Sequence, residues 1–113
     1  METDLFAGIA VNDLGRAVDW FDRLFGDVES FVPNDTEHVW TLADGRHVYA
    51  ELQPERAGYA MLTLFVADFD AFLDAAAQRG IEPQTQETYG NGVRKALFRD
   101  PDGNEIGVGG APK

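Results

Sequence analysis

Apolar positions along this chain follow two spacings in turn, and the same order of spacings comes twice. Residues 5–12, "LFAGIAVN", are apolar and mostly small, which predicts a strand. Leu14, Ala17, Val18, Phe21, Leu24 and Phe25 then recur at steps of three and four, the mark of an amphipathic helix face. Asp13 is placed to cap that helix and Gly26 to stop it. Further on, "YAMLTLFVA" at 59–67 predicts another strand. Asp68 caps a second helix, whose stripe is Phe69, Phe72, Leu73, Ala76 and Ala77 before Gly80. Three shorter strands follow each helix: 27–33, 37–43 and 46–53 in the first half, and 82–88, 92–99 and 104–109 in the second. Asp44-Gly45 is a two-residue hairpin signal. Gly90-Asn91-Gly92 and Pro101-Asp102-Gly103 mark the later turns. "VNDL" at 11–14 stands 55 positions before "VADF" at 66–69, so the chain reads as one βαβββ unit written twice.

Length and composition narrow this picture. The chain has 113 residues, enough for a single hydrophobic core, and is expected to form one domain over 1–113. Module one spans about 1–53, a joint "PERAG" covers 54–58, and module two spans about 59–113. There are no cysteines, so neither a disulfide framework nor a thiolate nucleophile is available. No apolar run is long enough for a membrane span and no basic leader precedes the first strand, so a cytoplasmic location without membrane association is expected. Twenty acidic against nine basic residues give a net charge of −11, which disfavours nucleic acid as a partner and favours cationic ligands. The plainer explanation of that charge is solubility.

The doubled βαβββ unit, with "VNDLGRAVDWFDRLFG" near the start and "RDPDGNEIG" near the end, resembles the vicinal oxygen chelate superfamily. That superfamily includes glyoxalase I, extradiol dioxygenases, fosfomycin-resistance proteins and bleomycin-resistance proteins. The resemblance covers essentially the whole chain and implies an α+β fold: two tandem βαβββ modules whose curled mixed sheets enclose a cavity, usually assembled as a homodimer. It also implies four positions where the metal enzymes hold a divalent ion, one on the first and one on the last strand of each module. Matched by motif, these are Phe6, Glu51, Met61 and Gly107. Glu51 alone carries a donor suited to a hard ion, and one carboxylate does not repay the dehydration of such an ion. Neither a metal nor another cofactor is expected at this site.

A two-residue loop at Asp44-Gly45 would set Leu42 opposite His47, Trp40 opposite Tyr49 and His38 opposite Glu51. On that register His38, Trp40, Leu42, His47, Tyr49 and Glu51 share one face, which the resemblance assigns to the cavity. Phe6, Met61, Phe65 and Glu105 join it from the neighbouring strands. The expected ligand-binding set is therefore Phe6, His38, Trp40, His47, Tyr49, Glu51, Met61, Phe65 and Glu105, an aromatic pocket with a carboxylate inside. Core filling is the bland reading for Phe6, Met61 and Phe65, and an ion pair with Arg46, Arg94 or a histidine is the bland reading for Glu51. His38 and Glu51 are the candidate catalytic residues, as a general base and its orienting carboxylate. A relocated metal site at His38, His47 and Glu51 is a further alternative. Tyr89-Gly90-Asn91-Gly92 reads as a hairpin tip, with a lid over the pocket as the other reading.

Three functions fit these residues. The first is a metal-free protein that binds a small aromatic or cationic organic molecule, as in antibiotic sequestration. The second is an enzyme of the same superfamily, of lyase, isomerase or dioxygenase type, working without metal or with relocated ligands. The third is a non-catalytic regulatory module.

Overall fold

The computed structural model describes all residues from Met1 to Lys113. Eleven elements follow one another as β1 (Leu5–Val11), α1 (Leu14–Phe25), β2 (Glu29–Asn34), β3 (Glu37–Ala43), β4 (Arg46–Leu52), a short 3-10 turn (Pro54–Arg56), β5 (Met61–Val66), α2 (Phe69–Gln78), β6 (Thr85–Thr88), β7 (Arg94–Arg99) and β8 (Glu105–Gly110). They form two separate four-stranded sheets, β1-β4-β3-β2 and β5-β8-β7-β6, and neither sheet closes on itself. In each, the outer first strand runs parallel to the last strand of its unit and the remaining pairs are antiparallel. A parallel pair needs a crossover connection, and α1 and α2 provide it.

The local chemistry of both helices follows the pattern of the residues. Asp13 accepts a hydrogen bond from the Arg16 backbone N–H at 3.0 Å, and Asp68 accepts one from Ala71 at 3.0 Å. Each carboxylate thereby satisfies an otherwise unpaired donor of the first turn. Gly26 closes α1 with φ of 76°, a left-handed value that glycine adopts without a Cβ penalty. The strand expected at 82–88 shortens to Thr85–Thr88, because Pro83 has no N–H to give to a ladder. At the expected hairpin tip the turn is closed: Tyr89 N–H donates to the Val93 carbonyl at 2.8 Å, and Gly92 N–H to the Tyr89 carbonyl at 2.9 Å.

One face of each sheet packs on its helix. Ile9, Val11, Val48 and Ala50 meet Ala17, Phe21 and Leu24, while Ala96, Phe98, Ile106 and Val108 meet Phe69 and Ala76. The opposite faces carry no helix. The register of β3 decides which residues belong to which face, and here the expectation fails. Ala43 does oppose Arg46, but Leu42 is left unpaired in a bulge, after which Thr41 opposes His47, Trp40 opposes Val48 and His38 opposes Ala50. One extra residue moves every side chain beyond it to the other side of the sheet. Trp40 therefore lies under α1, fully buried, with its ring 5.3 Å from that of Phe21. His38 follows it to the helix side, its ring 4.6 Å from Trp40.

The two sheets meet along a seam. Asn104, fully buried, donates from Nδ2 to the Ala10 carbonyl at 3.0 Å and accepts at Oδ1 from the Ala60 N–H at 2.9 Å. The same amide group donates to Asp100 at 2.8 Å, and the Asn104 backbone N–H donates to Asp100 at 2.8 Å. Asp102 accepts from the Asn12 N–H at 3.1 Å. The end of β1 thus sits beside the start of β5. At the other end of these strands Leu5 and Ala7 share an apolar cavity of about 830 Å³ with Leu64 and Val66, so the two strands run past each other in opposite directions. On the helix side Arg79 of the α2 terminus donates to the carbonyls of Arg23 and Leu24, at 2.6 and 3.2 Å, and so satisfies the open end of α1.

Candidate functional site

The uncovered face of the first sheet begins with Phe6, Gly8 and Ala10 on β1, set beside His47, Tyr49 and Glu51 on β4. Small residues on β1 leave room for the larger ones of β4. Tyr49 lies across Gly8, where a Cβ would come within 2.7 Å of its Cζ and Oη. A cavity of about 400 Å³ opens next to this pair, lined by Gly8, Ala10, Tyr49 and Glu51 and roofed by the chain that leaves β4. Gln53, Glu55, Arg56 and Tyr59 supply that roof. By the sequence pattern Gln53 ends a strand, Glu55 and Arg56 belong to the joint and Tyr59 opens the next strand, so none of the four is expected at the site. Pro54 and the positive φ of Gly58 (94°) are the signals that this stretch folds back, with Gln53 N–H donating to the Val11 carbonyl at 3.0 Å.

The six residues predicted on the first sheet separate into three groups. Tyr49 and Glu51 share the cavity. Phe6 and His47 occupy the same face but bind each other: their rings stack at 4.1 Å, the histidine Nδ1 is hydrogen-bonded to Thr41 Oγ1 at 2.9 Å, and Nε2 faces the Asp4 carboxylate at 3.5 Å. Trp40 and His38 lie on the opposite side of the sheet. The expected His38–Glu51 pair is thereby corrected, because the bulge at Leu42 puts the sheet between them. The alternative of a metal relocated to His38, His47 and Glu51 fails for the same reason, and no three donor side chains of the protein gather at one point.

On the second sheet Met61, Thr63 and Phe65 of β5 share the uncovered face with Glu105, Gly107 and Gly109 of β8. Met61 and Phe65 are 79% and 66% exposed, so neither fills a core within one chain. Glu105 is held by Arg99, directly opposite it in register, through a hydrogen-bonded ion pair of 2.8 Å. The four positions that the family resemblance assigns to a metal hold a phenyl ring, a carboxylate, a thioether and a bare glycine backbone. These residues do not fit a divalent ion, which takes several oxygen or nitrogen ligands.

The turn that carries the seam has its own electrostatics. Burial pushes the Asp100 carboxyl above its ordinary pKa, against the opposing pull of the Asn104 side chain and the backbone N–H groups of Asn104 and Asp102. The Arg94 guanidinium, hydrogen-bonded to Asp70 at 2.9 Å, draws the Asp70 carboxyl below its ordinary value. No helix is long and apolar enough to cross a membrane.

Several solved structures share this architecture. A glyoxalase/bleomycin resistance protein from Catenulispora acidiphila DSM 44928 is 50% identical over 98% of this chain and all of its own, with a TM-score of 0.94. TnmS3, an antibiotic binding protein from Streptomyces sp. CB03234, is 21% identical and superimposes with a TM-score of 0.78 over all of this chain and 98% of its own. A bleomycin-binding protein complexed with bleomycin is 16% identical, also at 0.78, over 97% of this chain and 99% of its own. At those lower identities the likeness shows the fold. No protein of curated function matches the chain. The fold is two βαβββ units in tandem, the family model of the glyoxalase/bleomycin resistance protein/dioxygenase superfamily matches residues 5–108, and the chain belongs to that superfamily.

Proposed function

We propose that this protein binds a small aromatic or cationic organic molecule and holds it without a metal, in the manner of antibiotic sequestration. The observation that carries this reading is Glu51: the one donor among the four strand positions, it lies in a cavity beside Tyr49 and Tyr59. Glu51 and Glu55 outweigh the single cation Arg56 in the lining, so the cavity attracts an organic cation by charge, and the tyrosine rings add their faces. The acidic surface of the chain adds attraction at long range. Two relatives of the same fold bind antibiotics, bleomycin in one case. We also propose that the protein is a homodimer. The outer strands β2 and β6 have free edges, and Phe6, Met61 and Phe65 leave apolar surface uncovered in a single chain.

The test is a thermal-shift and calorimetric screen of aromatic cations, bleomycin among them, against the wild-type protein and Glu51→Gln. A guest present at about 100 times its dissociation constant stabilises the fold by about 2.7 kcal/mol. Glu51→Gln is expected to weaken such a guest by about tenfold, and chelator treatment is expected to change neither melting temperature nor affinity. Stoichiometric nickel, zinc, iron or manganese that survives dialysis and is needed for binding or turnover would replace this reading with an enzymatic one. Light scattering that gives a monomer mass would remove the dimer.

A further inference from the structure

Gly107 leaves a gap on the uncovered face of the second sheet, and two donors converge on it. A Cβ built at Gly107 would lie 2.8 Å from Thr63 Oγ1, 2.9 Å from Lys95 Cε and 3.5 Å from Lys95 Nζ. The half-buried lysine stem of β7 and the Thr63 hydroxyl of β5 both reach over the glycine. None of the protein's five ion pairs involves Lys95. Glu87 lies directly opposite on β6, but it accepts the Tyr89 hydroxyl at 3.1 Å, and Glu105 is engaged by Arg99. In a chain of net charge −11, Lys95 is thus left available to an anion from outside the chain. The other lysine, Lys113, faces Asp70 at 3.6 Å.

We propose that Lys95 and Thr63, meeting over Gly107, form an anion-recognising corner that takes a carboxylate or phenolate of the organic guest. The inference rests on the reading that the guest lies against the uncovered sheet faces. The family resemblance places a metal-binding glutamate at position 107, whereas this chain presents a positive charge there, so the sign of the group it receives is reversed. The ammonium supplies a charge-assisted hydrogen bond and the hydroxyl a second donor, a pairing suited to a carboxylate or phenolate oxygen.

The experiment follows lysine ε-methylene signals by NMR in isotope-labelled protein, where Lys95 and Lys113 give the only two side-chain resonances. The probes are naphthoate and its cationic counterpart, naphthylmethylammonium. Naphthoate is expected to shift Lys95 but not Lys113, and to lose about tenfold or more in affinity in Lys95→Met and in Gly107→Ala. The cation is expected to lose affinity in Glu51→Gln and to be unaffected by Lys95→Met. Thermal melting of each variant confirms that it folds. Equal shifts of both lysines, no naphthoate binding, or naphthoate affinity unchanged in Lys95→Met would each overturn the corner. If the cation still depends on Glu51 in those cases, the function proposed above stands without it. If neither probe binds, both ideas fall.

Discussion

The indole N–H of Trp40 donates to the Asp22 carboxylate at 2.8 Å across the interface between β3 and α1. Trp40 is completely enclosed there, with its ring also 5.8 Å from that of Phe25. Trp40→Ala would leave a large void beneath the helix, and we expect a loss of about 3–5 kcal/mol in urea denaturation. Because the residue lies on the helix side of the sheet, the folded fraction of that variant should bind guests as wild type does. A selective loss of guest affinity would place Trp40 at the site after all.

Asn104 should rank among the most sensitive polar positions. Its side chain serves Ala10, Ala60 and Asp100, all at the junction of the two sheets. Asn104→Ala strands a buried N–H and a carbonyl together, which costs about 2–4 kcal/mol. Hydrogen exchange at Ala60 reports the break directly, since that amide should lose its protection more than amides at the centre of either sheet.

Asp100 predicts a pH dependence of defined sign. Its folded-state pKa is raised above the ordinary value of 3.8. Its contribution to stability is therefore fully present below 3.8 and is lost as pH rises through the raised folded value, because the unfolded chain releases the proton first. Melting temperatures of wild type and Asp100→Asn, compared from about pH 3 to about pH 7, should show the wild type losing ground to the variant as pH rises through that window. A constant difference between the two would show that Asp100 does not titrate in this way.

Gly8 is expected to set the width of the cavity. A methyl group there would approach within 2.7 Å of the Tyr49 ring, which has to swing away from β1. Gly8→Ala should change stability by only about 1 kcal/mol, since the obstructing atoms are the far end of a side chain and not backbone. Guest affinity should fall more steeply, by about tenfold. Calorimetry on the variant checks this, and unchanged affinity would mean that guests do not use the Tyr49 side of the cavity.

Much of the architecture is legible in the order of the residues. The three- and four-residue spacing from Leu14 to Phe25 needs only helix geometry, and Asp13, Asp68 and Gly26 act on their own neighbours. The likeness of 11–14 to 66–69 shows the repeat in the same local way. The faces of β1 and β4 were also readable, because both strands are regular and Phe6, Gly8 and Ala10 follow His47, Tyr49 and Glu51 in strict alternation.

Helices, strands and their doubling are readable from residue order, and with the family resemblance so is Glu51 as the lone carboxylate among a phenylalanine, a methionine and a glycine. The bulge at Leu42, which sends His38 and Trp40 to the helix side, emerges only in three dimensions. So do the fold of residues 53–60 over the first sheet and the cover of Gly107 by the Lys95 stem. The difference lies in the range of the interactions. Caps, turns and periodicity are set within a few residues, whereas a bulge is chosen by what a whole strand gains in packing: here an indole that fits between Phe21 and Phe25 and finds Asp22 as its partner.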